Sequence, residues 1–106
     1  MREIKEWYWD ENEIEYVIRE LENVCRIVEY HRRDDVIEWL ERRIEDDKYD
    51  DIAFTKDSCY ILNECIIALS MFKTGACSDD VIKKIKSDIE WFYHMLYCIH
   101  IYGYVR

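Results

Sequence analysis

From Met1 to Thr74 the chain contains neither glycine nor proline, and beyond that point it has only Gly75 and Gly103. Tight turns between antiparallel strands draw on residues that accept positive backbone φ, and loops that cradle phosphate groups need clustered glycines. A hairpin-rich β protein and a nucleotide-binding enzyme of the Walker or Rossmann type are therefore both excluded. What remains is a helical chain. With 106 residues, 50 % hydrophobic and 15 % aromatic, it carries enough apolar surface for one packed core and too much for a disordered acidic tail. One domain over residues 1–106 is expected.

Apolar spacing divides the chain into four helices. Ile14, Val17, Ile18, Leu21, Val24, Cys25 and Val28 recur at helical spacing from Glu11 to about Arg32 and predict one buried stripe. On the opposite face Glu15 precedes Arg19, Glu22 precedes Arg26 and Glu29 precedes Arg33, each by the four residues that favour an ion pair along a helix. Asp35 with Glu38 reads as a capping box opening a second helix that ends near Lys48, although one kinked helix is an alternative. Residues 46–57 hold five aspartates and read as a linker, because Asp favours caps and turns. Ile61, Leu62, Cys65, Ile66, Leu69 and Phe72 mark a third, central helix closed by Gly75. Ser78 caps a fourth that runs to Tyr102 with the stripe Ile82, Ile85, Ile89, Phe92, Leu96 and Ile99. The predicted fold is an all-α, compact four-helix bundle. Residues 1–10 form an aromatic N-terminal segment, whose Trp7 and Trp9 serve either to cap the core, the favoured reading, or to anchor a partner.

Charge is segregated. Met1 to Asp57 holds 19 acidic and 10 basic residues, whereas Ser58 to Arg106 holds five of each, so the whole excess of the −9 net charge lies in the first half. Nucleic-acid affinity rests on clustered Lys and Arg, so direct binding to DNA or RNA is disfavoured. An acidic face would instead attract a basic protein, such as one that handles nucleic acid, and set carboxylates where phosphates otherwise lie. Glu38, Glu41, Glu45, Asp46, Asp47, Asp50 and Asp51 are the candidates for that contact, Glu38 the weakest because Arg42 follows four residues on. A second candidate surface is aromatic. In the fourth helix Trp91, Tyr93, Tyr97 and Tyr102 exceed what one core-facing stripe buries, which predicts a homodimer or another partner there.

Cys25, Cys59, Cys65, Cys77 and Cys98 form no CxxC pair and are odd in number, so they read as reduced apolar fillers, with no metal and no cofactor expected. His94 and Cys98, one turn apart, are the nearest approach to a ligand pair. The longest uncharged stretch, Trp91 to Val105, is 15 residues and too short to span a bilayer, and Met1 to Asp10 lacks the apolar core of a secretion signal. A cytoplasmic, non-membrane protein is expected.

No enzyme is expected either. Glu90 and His94 lack the further carboxylates of a di-iron bundle. Arg26-Ile-Val-Glu-Tyr-His31 resembles the Arg-x4-His motif of HEPN ribonucleases, helical bundles that dimerise to join two such motifs. That resemblance implies Arg26 and His31 as catalytic residues. It departs from the family in having Ile27 where a polar residue is usual, and in a regular helix the two side chains point about 140° apart. In size, acidity and want of a catalytic signature the chain is similar in type to the small inhibitors that phages and other mobile elements direct at host nucleases, anti-CRISPR proteins among them. The expected function is thus that of an acidic protein–protein interaction module. A HEPN-like ribonuclease or its noncatalytic relative, and a structural subunit of a larger assembly, are the alternatives.

Overall fold

Asp10 opens the first helix by accepting a hydrogen bond from the Glu13 N–H at 2.8 Å. The computed structural model describes residues 9–49 and 55–103. They form four helices: α1 over Glu11–Tyr30, α2 over Arg33–Tyr49, α3 over Lys56–Lys73 and α4 over Ser78–Tyr102. The all-α bundle is as predicted, and all seven residues of the stripe expected in α1 are buried. Trp7, Asp50 and Asp51 lie outside the described residues.

Packing sets the order of the helices. Glu11 meets His100 and Glu22 approaches Tyr93, so α1 and α4 run antiparallel. Arg33 at the start of α2 meets Phe72 at the end of α3, so that pair is antiparallel too. α1 and α3 pack on each other and hold the centre, while α2 and α4 flank them and do not touch. α2 rests on α3 and barely reaches α1, so the first two helices do not lie side by side.

The helix ends differ from the sequence reading in instructive ways. α1 stops where His31 turns extended, its N–H still bonded to the Ile27 carbonyl at 3.2 Å. α2 starts two residues before Asp35, which puts Asp34 and Asp35 inside its first turn, where the helix dipole favours acids, and rules out Asp35 as the cap. Helix also invades both ends of the expected linker, since Asp46 and Asp47 belong to α2 and Lys56 and Asp57 to α3. Gly75, at φ +98°, follows the end of α3 in a Schellman turn: its N–H bonds the Phe72 carbonyl and that of Ala76 bonds the Met71 carbonyl. The cap of α4 is Cys77, not Ser78. Its N–H donates to Asp80 at 3.2 Å and its thiol to the same oxygen at 3.0 Å, which holds the Asp80 carboxyl below its usual range.

Burial is rotated relative to two of the predicted stripes. In α4 the buried set is Val81, Ile85, Ile89, Phe92, Met95 and Cys98, with Ile82, Leu96 and Ile99 half-buried, because α4 lies in the groove between α1 and α3 and needs a wider face. In α3, Ile66 and Ile67 stay 44 % and 39 % exposed while Glu64 is only 5 % exposed. Phe92, Tyr60 and Trp9 meet edge to face, with centroids 4.9 to 6.1 Å apart. Lys56 Nζ lies over the Trp9 ring at 4.9 Å, so Trp9 closes the core as a cap.

A thiol is a weak acceptor for the open N–H groups of a helix start, and a serine hydroxyl is a strong one. Cys77→Ser should therefore raise the melting temperature by a few degrees. An unchanged or lower value would show that the contact between thiol and Asp80 already caps α4 fully.

Candidate functional site

Because α2 rests on a single neighbour, most of its circumference faces water. Asp34, Glu38, Glu41 and Glu45, at helical spacing, make one exposed ridge, with Asp35 and Asp46 beside it. At a rise of 1.5 Å per residue these four carboxylates extend over about 16 Å. Glu38 is paired with Arg42 at 3.0 Å, as expected, and Glu41 with Lys73 at 3.9 Å; all four of these side chains are more than half exposed, and such pairs are weak. No ion pair engages Asp34, Asp35, Glu45 or Asp46 among the described residues.

Asp47 is different. It turns inward to Arg43 Nε at 3.0 Å, and Arg43 reaches Glu20 of α1 at 3.4 Å, a half-buried bridge that ties α2 to α1. Burial lowers the Arg43 pKa, but the Asp47 hydrogen bond and the two negative charges outweigh it and raise it. Asp47 is thus a structural residue of the bundle.

None of the three predicted ion pairs along α1 is closed. Arg19 lies over the Tyr16 ring at 5.8 Å, Arg26 donates to Asn23, and Arg33 donates to the Phe72 carbonyl with its guanidinium 5.5 Å from that ring. The Glu29–Arg33 spacing spans the corner at His31, where helical register is lost. Glu15 and Glu29 are consequently left exposed and add to the acidity of α1.

The aromatic candidates divide. Trp9 is committed to the core, whereas Trp91, Tyr93, Tyr97 and Tyr102 are 52 %, 52 %, 57 % and 41 % exposed, together with Ile101 at 59 %. Trp91 stacks on His94 with centroids 5.7 Å apart, and the Tyr93 hydroxyl reaches Glu22 of α1 at 3.5 Å.

Groups that might do chemistry are dispersed. Arg26 lines a depression with Tyr16, Arg19 and Asn23, while His31 lines another with Arg33, Phe72 and Ser78, so the two residues of the Arg-x4-His motif are not brought together. His94 Nε2 lies 3.5 Å from Cys98 Sγ, yet among the described residues no group of three or more His, Cys, Asp or Glu is placed to hold a metal. Burial raises the Cys25 and Cys65 thiols, which keeps them neutral, as filler cysteines are.

Sequence reasoning missed a buried, strongly perturbed carboxylate. Glu64 of α3 is buried and accepts two hydrogen bonds from Lys84 Nζ of α4, at 2.9 and 3.1 Å, while Lys84 also binds Asp88. One lysine is shared by two carboxylates. Burial, with Asp88 adding to it, raises the Glu64 pKa to about 7 against the pull of Lys84, and burial beside these acids also raises the Tyr60 hydroxyl. No helical spacing joins Glu64 to Lys84, which is why the trio was not foreseen.

No family model matches the chain, and comparisons with curated proteins and with solved structures return no match. No described helix is long and apolar enough to cross a membrane.

Since the folded chain holds the Glu64 proton to about pH 7 and a free glutamate to about 4.5, the stability it contributes is full below pH 4.5 and is lost as pH rises through 7. Glu64→Gln should remove that slope, changing the difference between pH 5 and pH 8 by on the order of 2 kcal/mol once solvent screening is allowed for. Urea unfolding at the two pH values measures it, and equal slopes in both proteins would refute the assignment.

Proposed function

We propose that the chain is a noncatalytic interaction module that docks the acidic ridge of α2 on the basic surface of a nucleic-acid-handling protein, and so competes with nucleic acid there. The observation that carries this reading is the line Asp34, Glu38, Glu41 and Glu45 on a helix packed from one side only. A row of carboxylates over about 16 Å meets a phosphate-binding cleft with the charge that the cleft is built to attract. The distribution of charge supports it. α1 and α2 carry 13 acids against six bases, whereas α3 and α4 carry six against five, so the field is directed and not spread evenly. A small inhibitor of a host nuclease in the cytoplasm, of the kind mobile elements produce, is the biological setting that fits such a surface.

Ribonuclease chemistry is not favoured, because Arg26 is engaged by Asn23 and His31 ends the helix in a different depression. The purified chain should leave RNA intact. Cleavage that disappears in His31→Ala with the fold retained would reverse this reading.

Capture from the source cell identifies the partner, and association kinetics then test the surface. Replacing Glu38, Glu45 and Asp46 together by lysine should slow association about tenfold or more, and the wild-type rate should fall steeply with salt. Asp47 is left in place to preserve the bridge to α1. Melting temperature should change little, since exposed charges contribute little to folding. Binding indifferent to both salt and reversal would reject the ridge as the site.

A further inference from the structure

We propose that the outward face of α4 binds a second copy of this chain, the two α4 helices running antiparallel about a twofold axis at His94. This goes beyond the acidic-ridge reading and does not rest on it. Ser87, Glu90, His94, Tyr97 and Ile101 follow one another at intervals of three and four residues, the spacing of a helix-to-helix seam, and Trp91 flanks it. All six are on the solvent side, and none belongs to the buried set of α4.

Charge selects the occupant. Two bodies of net charge −9 repel wherever α1 or α2 would meet, but from Trp91 to Tyr102 there is no Asp, Glu, Lys or Arg. That stretch is where two copies approach with least repulsion, and a strongly basic partner gains nothing from it. The pattern is also self-complementary about His94. Three residues to either side stand Trp91 and Tyr97, so ring meets ring; seven to either side stand Ser87 and Ile101, so the small side chain faces the large one.

The area fits a small interface. On the seam's side of α4, Trp91, Tyr97 and Ile101 are each more than half exposed. At 150–250 Å² for a large side chain they leave roughly 300 Å² of ring and aliphatic surface open. Two such faces, with the polar groups of Ser87, Glu90 and His94 between them, approach the lower range of specific interfaces, roughly 1,200 Å² in total.

Sedimentation equilibrium of the full chain over a range of micromolar concentrations tests this. Wild type should show the mass of two chains at the upper end, and Tyr97→Glu and Ile101→Glu should each show the mass of one. Both side chains are more than half exposed, so the circular dichroism spectrum and melting temperature should match wild type in at least one variant. Wild type that stays monomeric, including one whose α4 face binds only an unrelated protein, overturns the proposal, and so do folded variants that remain dimeric. Oxidation tests the register. In a Cys77→Ser background, which removes the exposed thiol, His94→Cys on the axis should cross-link the copies and Ile101→Cys should not. Equal cross-linking of the two overturns the antiparallel arrangement.

Discussion

The corner at His31 and Arg32 is made without glycine or proline, and the rest of the bundle depends on how it is held. His31 leaves helical geometry with its N–H still tied to Ile27, and Arg33 then reaches across to the last turn of α3, binding the Phe72 carbonyl and covering its ring. A guanidinium at that position adds a second donor to a carbonyl that the Gly75 N–H already bonds, and it opposes the negative end of the α3 dipole. The contact carries α2 away from α1 and onto α3. The groove along α1 is thereby left for α4, which fills it antiparallel. Had the chain continued as one kinked helix, the two flanks could not have formed.

That arrangement also separates the two kinds of surface. α2 and α4 lie on opposite flanks of the central pair, one presenting carboxylates and the other rings. The segregation visible in the linear charge count becomes a spatial one because folding pairs an acidic helix with a neutral helix on each side, α1 with α4 and α2 with α3. The row of carboxylates and the group of exposed rings are thereby kept apart on the molecule.

Much of this was legible in the sequence wherever the deciding interaction is local. The buried stripe of α1, its start at Glu11 and the end of α4 at Tyr102 follow from periodicity and from the residues next to them. Partnerships across helices were not legible. The spacing rule offers Arg33 Glu29, yet it finds Phe72 39 residues away. Asp47 read as a free surface acid until Arg43 was seen to join it to Glu20. Glu64 read as an ordinary charge in an apolar helix, because only the approach of Lys84 makes its burial tolerable. In α4 the set Val81, Met95 and Cys98 lies one residue from the expected Ile82, Leu96 and Ile99, a rotation that depends on having two neighbours and not one.

The pairing of α1 with α4 has a consequence for how the chain is made. The α2–α3 hairpin joins elements adjacent in sequence and can close early, as local contacts do. The stripe of α1, by contrast, has no complete cover until α4 exists, some 70 residues later along the ribosome's path. At ordinary rates of synthesis, about 5–20 residues per second, Val17, Leu21 and Val24 wait for several seconds beside a partly formed core. The acids on the other face of α1, Glu11, Glu15, Glu22 and Glu29, put like charge on the same helix whose apolar side is then uncovered, and like charge opposes the association of nascent copies.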